Sequence, residues 1–341
     1  MPENKVKLAI NLVTYNAERY LPYCLESIAK QTFQDFSFLV IDNGSSDNTV
    51  RYFKEDYPHF KIITHKDNIG FAKAHNQGIA WTKSDYICLL NQDVILEPDY
   101  FAKALDFLDK NPQASSLSGK ILLWDFPHQQ KTEIIDSLGL RVFKNHRIVE
   151  KGQGEKDKNQ YSETVEIFGV SGALPIYRRT ALEKIKVKVG NLHDEYFDEL
   201  FFSYKEDVDL AFRLRLAGFK AYYLPEAIAY HHRSVKGSVD LSDKAVRQSR
   251  KEKNRMIKLY SYKNHLLVIL KNEFTANLVK FFFPIFWYEF KKFIFILLFE
   301  QTTLKGLRMF FKEKAKIKEK KKFIIKEIRK VSAAELAKWY E

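Results

Sequence analysis

A chain of 341 residues, 45% hydrophobic and 29% charged, can bury a sizeable core, which excludes global disorder and leaves room for one large domain with an appendage, or for two domains. The net charge of +13 is uneven: from residue 241 onward 25 Lys and Arg face 10 Asp and Glu, whereas the first 240 residues carry 31 against 33. A near-neutral body with a strongly basic tail points to an anionic surface, either membrane or nucleic acid.

The opening "MPENKVKLAINLVTYN" has no apolar leader or cleavage site, so no secretory signal is expected. Within it "KLAINLVTY" is a strand-like run, and Leu21, Leu25 and Ile28 then recur at helical spacing. Cys24 falls in that helix pattern and Cys88 in a later strand, so both are expected as buried thiols in a reducing compartment. "FSFLVID" is a second strand, closed by the turn-rich "NGSSDNT". A helical "VRYFKEDY" leads to a third strand, "FKIITH", and "NIGFAKAHNQGIAWTK" reads as a loop entering a helix. "YICLLNQDVIL", residues 86–96, reads as a buried strand interrupted by Asn91, Gln92 and Asp93. After Pro98 a helix carries Phe101, Leu105 and Leu108. Such β-α alternation implies a doubly wound, mainly parallel sheet with helices on both faces and ligands beyond the strand carboxyl ends. Beyond Trp124, "IIDSLGLRVFKNHRIVEKG" predicts a hairpin and "QGEKDKNQYSE" a polar surface loop. "ELFFSYKEDVDLAFRLRLAGF" predicts a loop and a helix stopped at Gly218, and "KAYYLPEAIAYHH" an extended segment.

Polar clusters fall at strand ends: Thr14-Tyr15-Asn16, Asp42-Asn43-Gly44 and Asn91-Gln92-Asp93. A carboxylate beside a buried strand costs several kcal/mol unless compensated. Asp93 therefore reads either as a cap for the next helix or as a ligand for Mg²⁺ or Mn²⁺ shared with a diphosphate. Asp42 reads as an Asx-turn or as an acceptor for a nucleotide base or ribose. Tyr15 could offer a stacking face to a base, or be a partly buried aromatic. Gly70 before a helix would let backbone approach a phosphate, while Lys73 and Asn76 on that helix are otherwise solvated or capping groups.

"KEDVDLAFR" puts Glu206, Asp207 and Asp209 at a helix start. The helix dipole alone favours such acids, but one presented at a cleft edge can act as a general base. His231 and His232 close an extended run; alternation lets only one of them face a given site, where an imidazole can complete a metal shell.

These segments together carry a resemblance. "AINLVTYN", "YLPYCLESIAKQTF", "VIDNGSSDNT", "NIGFAKAHNQGI" and "ICLLNQDV" resemble the nucleotide-sugar half of family 2 inverting glycosyltransferases of the GT-A fold. "GVSGALPIYRRTALEKI", "FDELFFSYKEDVDLAFRLRLAGF" and "AYHHRS" resemble their acceptor half, and "DSLGLRV" with "SGALPIYRR" is similar in style to rhamnosyltransferases that extend lipid-linked polysaccharides. The likeness spans about residues 6–238. It implies a GT-A catalytic domain over 1–238 and a helical extension over 239–341. It assigns donor binding to Thr14, Tyr15, Asn16, Asp42, Asn43, Gly70, Asn76, Asn91 and Gln92, and metal binding to Asp93 and His231, with His232 as the alternative. Asp207 matches the catalytic base, beside Glu206. The family's metal motif is Asp-x-Asp, commonly Asn-Pro-Asp in this subgroup; here it is Asn91-Gln92-Asp93, which leaves Asp93 as the main protein carboxylate. The implied reaction moves a sugar from a nucleotide-diphosphate donor, dTDP-rhamnose or a UDP-sugar, to a hydroxyl of a glycan or lipid-linked glycan in cell-surface polysaccharide synthesis, with Mg²⁺ or Mn²⁺ and inversion.

The tail segment 278–299 is apolar but broken by Lys280, Glu289, Lys291, Lys292 and Pro284, so an interfacial helix is expected rather than a spanning one, with Pro284 bending it. "KEKAKIKEKKKFIIKEIRK" would attract anionic lipid headgroups. The expected partners are donor, acceptor and an anionic membrane surface, with packing on the body or on a second copy as the alternative for the tail. Nucleic acid is not expected, because the aromatics cluster with aliphatics rather than interleaving with the basic run. The expected location is cytoplasmic, peripheral on the inner face of the plasma membrane. The competing reading is a non-catalytic sugar-nucleotide-binding or membrane-scaffold relative; a dinucleotide oxidoreductase is disfavoured because no Gly-x-Gly-x-x-Gly follows the first strand.

Overall fold

Strands β1 (Val6–Thr14), β2 (Phe36–Asp42), β3 (Lys61–Thr64) and β4 (Ser84–Asn91) pair in parallel in the order β3-β2-β1-β4. Parallel neighbours need crossovers, supplied by α1 (Leu21–Ala29), α2 (Thr49–Asp56) and α3 (Phe71–Trp81). The computed structural model describes residues 5–189, 193–233 and 242–341. β4 shows why these strands read as unbroken apolar runs: Tyr86, Cys88 and Leu90 join the core on one face, and Ile87 and Leu89 the core on the other. Both cysteines are buried and unbridged, as expected.

The run 86–96 is not one strand. β4 ends at Asn91, the chain turns through Gln92 and Asp93, and Val94–Leu96 (β5) pairs antiparallel with a different strand, β14 (Lys220–His231). The polar triplet is thus the turn between two strands rather than an interruption within one.

After α4 (Tyr100–Lys110) come β6 (Ala114–Asp125) and β7 (Gln130–Ser137), and β8 (Leu140–Val142) with β9 (Ile148–Glu150) forms the expected hairpin. β10 (Val165–Ile167) and β11 (Ile176–Arg178) lead to α5 (Arg179–Ile185), the small β12 (Val187–Val189) and β13 (His193–Glu195) pair, and α6 (Glu206–Leu216) before β14. Among the described residues the main sheet runs β10-β14-β6-β11-β4-β1-β2-β3, with β5 on β14 and β7 on β6. Its long ladders are parallel, but β11 enters antiparallel between β4 and β6. The doubly wound expectation therefore describes the first half best.

The basic tail is helical: α7 (Asp243–Glu252), α8 (Arg255–Asn272), α9 (Thr275–Lys280), α10 (Phe282–Phe299), α11 (Leu304–Phe323), extended by a π-helical turn Ile324–Ile328, and α12 (Ala333–Ala337). The helix break falls at Phe281, and Pro284 sits in the first turn of α10, where a missing N–H costs nothing, rather than bending a longer helix. Among the described residues no helix is long and apolar enough to cross a membrane. The boundary expected between 238 and 239 lies outside the described residues.

These helices are not loosely attached. Leu267, Val268, Ile317, Ile324, Ile328 and Leu336 share one core with Leu210, Phe212 and Leu214 of α6. Buried ion pairs add specificity: Lys271 Nζ lies 2.6 Å from Asp198 and 2.8 Å from Asp209, and Lys320 Nζ lies 2.6 Å from both Glu195 and Asp198. Removing one partner of such a pair leaves an uncompensated buried charge, at a cost of about 3–5 kcal/mol.

Candidate active site

The register places Thr14 beside Asp42 and Val13 beside Asn91, so β2, β1 and β4 end at one edge. There Asp42, fully buried, accepts from Thr14 Oγ1 at 2.9 Å, Ser45 N at 2.9 Å and Gly44 N at 3.1 Å. The Asx-turn reading thus describes its contacts. Asn16 Oδ1 accepts from Ser46 N at 2.8 Å, tying the first strand end to the same loop. Tyr15 is exposed. Its peptide is clamped on both sides by Gln92, whose Oε1 accepts from Tyr15 N at 2.8 Å and whose Nε2 donates to Tyr15 O at 3.2 Å. This amide-to-peptide pairing needs a donor and an acceptor on one side chain, which a carboxylate lacks. Asn43 is buried, and its Oδ1 has no protein partner.

Two further residues expected at the donor site also make structural contacts. Asn76 is buried on α3, and its amide clamps the Phe197 peptide at 2.7 and 2.8 Å, linking α3 to the segment before α6. Gly70 has φ +86°, and a Cβ there would lie 2.6 Å from Phe202, so a close backbone approach requires glycine.

Asp93, Asn91, Glu206, Asp207 and His231 line one cleft of about 590 Å³. His231, buried at the end of β14, points Nε2 at Asp93 Oδ1, 3.3 Å away, and Nδ1 at Asp136 Oδ2, 2.8 Å away. Burial disfavours its charge, but Asp93 and Asp136 outweigh that and raise its pKa to about 10. His232 faces the other way, against Tyr20 and Phe126, with Nδ1 near Trp124 O. Asp136 also pairs with Arg233 at 2.7 Å, and Arg233 with Glu150 at 3.2 Å. Trp124 and Trp124's neighbour Tyr23 stand at 6.3 Å in a tilted ring contact on this side.

A divalent ion fits this arrangement. One carboxylate and one imidazole nitrogen are suitable ligands once the ion displaces the proton that His231 Nε2 otherwise shares with Asp93, and the Asp136 carboxylate behind the imidazole fixes its orientation. Among the described residues no group of three or more His, Cys, Asp or Glu side chains converges, so most of the shell would come from substrate and water.

The acids at the start of α6 have three distinct settings. Asp209 is fully buried and bound to Arg213, Lys271 and Asn272. Glu206 is buried, its Oε2 lacks a partner, and burial with the adjacent Asp207 pushes its pKa up to about 8. Asp207 reaches the cleft and is aimed by Gly172 N, which donates to Oδ2 at 3.0 Å, and Val208 N, which donates to Oδ1 at 2.7 Å.

The entry to α6 is strained. Phe202, Tyr204 and Lys205 all have positive φ, at 62°, 71° and 66°. Such backbone costs on the order of 1–3 kcal/mol per residue and persists only where surroundings enforce it. Here Asn264 of α8 enforces it: its Nδ2 donates to Phe201 O, Ser203 O and Tyr204 O at 2.9, 2.9 and 2.7 Å. Sequence reading assigned no role to Asn264, Asp136, Glu150 or Arg233. An Asn inside the helical run "YSYKNHLLVIL" was the available signal for the first, and "IIDS" and "HHRS" held two of the others.

The family model for glycosyl transferase family 2 matches residues 10–186. An N-acetylglucosaminyl-diphospho-decaprenol L-rhamnosyltransferase of Mycobacterium tuberculosis is 28% identical over 244 residues, covering 67% of this chain and 76% of that protein. A chondroitin synthase of Escherichia coli is 34% identical over 107 residues, 30% of this chain and 16% of that one. Among solved structures, GalNAc-T7 with UDP, GalNAc and Mn²⁺ superposes with a TM-score of 0.57 at 14% identity, covering 79% of this chain and 48% of that one. The strand order, the family match and these likenesses agree: the chain has the GT-A fold and belongs to glycosyl transferase family 2.

Proposed function

We propose that this glycosyltransferase transfers its sugar with inversion, from a nucleotide-diphospho-sugar to a hydroxyl of a lipid-linked glycan. The observation that carries the reading is Asp207, held by two backbone N–H groups at the edge of the cleft that also contains Asp93 and His231. Asp207 takes the proton of the acceptor hydroxyl as that oxygen attacks the anomeric carbon. The bond from that carbon to the diphosphate oxygen breaks on the opposite face, and the nucleoside diphosphate leaves. No covalent enzyme intermediate is needed. Asp93 and His231 would hold Mg²⁺ or Mn²⁺, which when bound neutralises charge on the leaving diphosphate. Asp136 keeps the His231 ring in position. The strand ends at Thr14, Asp42 and Asn91, with the Tyr15 peptide held by Gln92, shape the donor side.

The mycobacterial relative is named for L-rhamnosyl transfer onto a diphospho-decaprenol-linked sugar, which favours dTDP-rhamnose over a UDP-sugar and a lipid-linked acceptor. The exposed aromatic face of α10 (Phe282, Phe283, Phe286, Trp287, Phe290) supports peripheral association with the membrane that holds such an acceptor. Gln92, at the variable middle position of the motif, has a structural use in holding the Tyr15 peptide, and the retained Asp93, His231 and Asp207 around one cleft favour catalysis over the non-catalytic alternative.

A thermal-shift screen of dTDP-rhamnose and UDP-sugars with Mg²⁺ or Mn²⁺ tests the donor. A cognate donor at 100 times its Kd stabilises the fold by about 2.7 kcal/mol. Asp93→Ala should abolish the metal-dependent part of that shift; an unchanged shift removes Asp93 from the metal site.

A further inference from the structure

α10 has two unlike faces. Phe282, Phe286 and Phe290, four residues apart, are exposed with Phe283 and Trp287, while Tyr288 and Lys292 line the cleft and Glu289 bonds His265 at 2.7 Å. One helix thus separates an aromatic outer surface from the cleft interior.

The cleft wall on this side is cationic. Lys205, Arg233, Arg250, Lys253 and Lys292 all line it. Glu150 serves Arg233, Glu300 serves Arg250, and Glu289 reaches Lys292 at 3.4 Å. Lys205 and Lys253 have no ion-pair partner among the described residues. The charges repel: burial lowers the Lys253 pKa, and Arg250, Lys205, Arg233 and Arg147 lower it further. Burial likewise lowers that of Lys292 to about 8, with Lys205 and Arg250 opposing its charge and Glu289 favouring it. Burial lowers the Lys205 pKa as well, but Asp207, Glu150, Glu206 and Glu289 favour its charge, so the uncompensated positive charge lies at Lys253 and beside Lys292, where a bound anion would offset it. The three lysines stand on the entry to α6, on the segment just after α7 and on α10, not on the strand ends that frame the donor side.

We propose that Lys205, Lys253 and Lys292 form a second anion subsite, which binds the phosphate or diphosphate of a membrane-anchored acceptor lipid while the aromatic face of α10 seats in the bilayer that supplies it. This rests on the glycosyl-transfer reading above. Phe and Trp beside Lys280 and Lys291 suit the headgroup level, and Lys292 behind them meets a lipid phosphate at that depth. The lipid tail stays in the membrane, and only the phosphate and its sugar enter the cleft.

Binding to the full-length protein can be measured with two probes, farnesyl diphosphate as a short isoprenyl diphosphate and dTDP with Mg²⁺ as the donor nucleotide. Lys253→Gln and Lys292→Gln should each weaken farnesyl diphosphate by about tenfold or more, while dTDP affinity stays within about twofold. Lys292 pairs with Glu289 at 3.4 Å, whereas Lys253 stands in no such pair among the described residues, so Lys253→Gln keeps the test open if Lys292→Gln does not fold. Equal weakening of both probes would reassign the cluster to the donor diphosphate and overturn the proposal, as would unchanged farnesyl diphosphate binding. Inorganic pyrophosphate binding as tightly as farnesyl diphosphate would overturn the lipid assignment. If the unaltered protein bound no nucleotide or nucleotide-sugar, the glycosyl-transfer reading itself would fall; if it bound dTDP but not farnesyl diphosphate, only this inference would fall.

Discussion

The two sides of the cleft are built by different means. On the proposed donor side, Asn91 lines the cleft and Thr14 and Asp42 stand buried beside it at the ends of adjacent parallel strands, so the register that makes the sheet also brings these residues together. On the proposed acceptor side, Asp207 stands on a helix entered through strained backbone, and Asn264, at least 60 residues away in sequence, holds that backbone. The first kind of site follows from local pattern. The second depends on the C-terminal helices, which share a hydrophobic core with α6.

Asp207→Asn probes this difference most severely. It keeps the shape of the side chain but removes the proposed base, so transfer should fall by about 10²–10⁴-fold, measured as product release, while dTDP binding persists. Surviving turnover would move the base elsewhere and leave the acceptor side without its central group.

A matched pair sharpens the contrast in construction. Asn264→Ala removes the side chain that pairs three loop carbonyls, and each buried unpaired group costs about 1–3 kcal/mol. Urea unfolding should show that loss, and kcat should fall with little change in the donor KM. Gln92→Ala also removes a peptide clamp, but beside exposed Tyr15, where water substitutes, so its stability cost should stay below about 1 kcal/mol and its effect should fall on donor KM. Equal stability losses, or a donor KM defect in Asn264→Ala, would break the comparison.

The smallest effect concerns pH. The Glu206 pKa lies near 8 in the folded chain against 4.5 as the ordinary value. Between those values the folded state keeps a proton that the unfolded state has released, so stability declines as pH rises through this window. Glu206→Gln imitates the protonated acid and should lessen the fall in Tm between pH 5 and pH 8 by about 4 °C or more. An unaltered Tm profile would show that burial at the start of α6 is less severe than its contacts indicate.

Much of the fold was legible because it rests on local pattern. Continuous apolar runs marked β1, β2 and β4, since strands covered on both faces have no polar side. The strand-end clusters and the acid-rich start of α6 were legible for the same reason. The choice between His231 and His232 was not, because it depends on which face β14 turns toward Asp93. The contact of Asn76 was not legible either: it lies in the middle of α3, and its partner is the Phe197 peptide 121 residues away.

By itself, the sequence determined the parallel strands, the order of the motifs and the presence of the key side chains: Asp93, His231, Asp207 and the basic run. These depend on spacing along the chain. Only the tertiary structure decided that 86–96 is two strands joined by a turn, that Gln92 serves a peptide, and that Asp136 stands behind His231. It also decided that Lys253 and Lys292 share a cleft with the acid pair. The reason is common to all of these: an electrostatic or hydrogen-bond partner is chosen by distance in space, and a buried polar group takes whichever partner the packed core brings within reach.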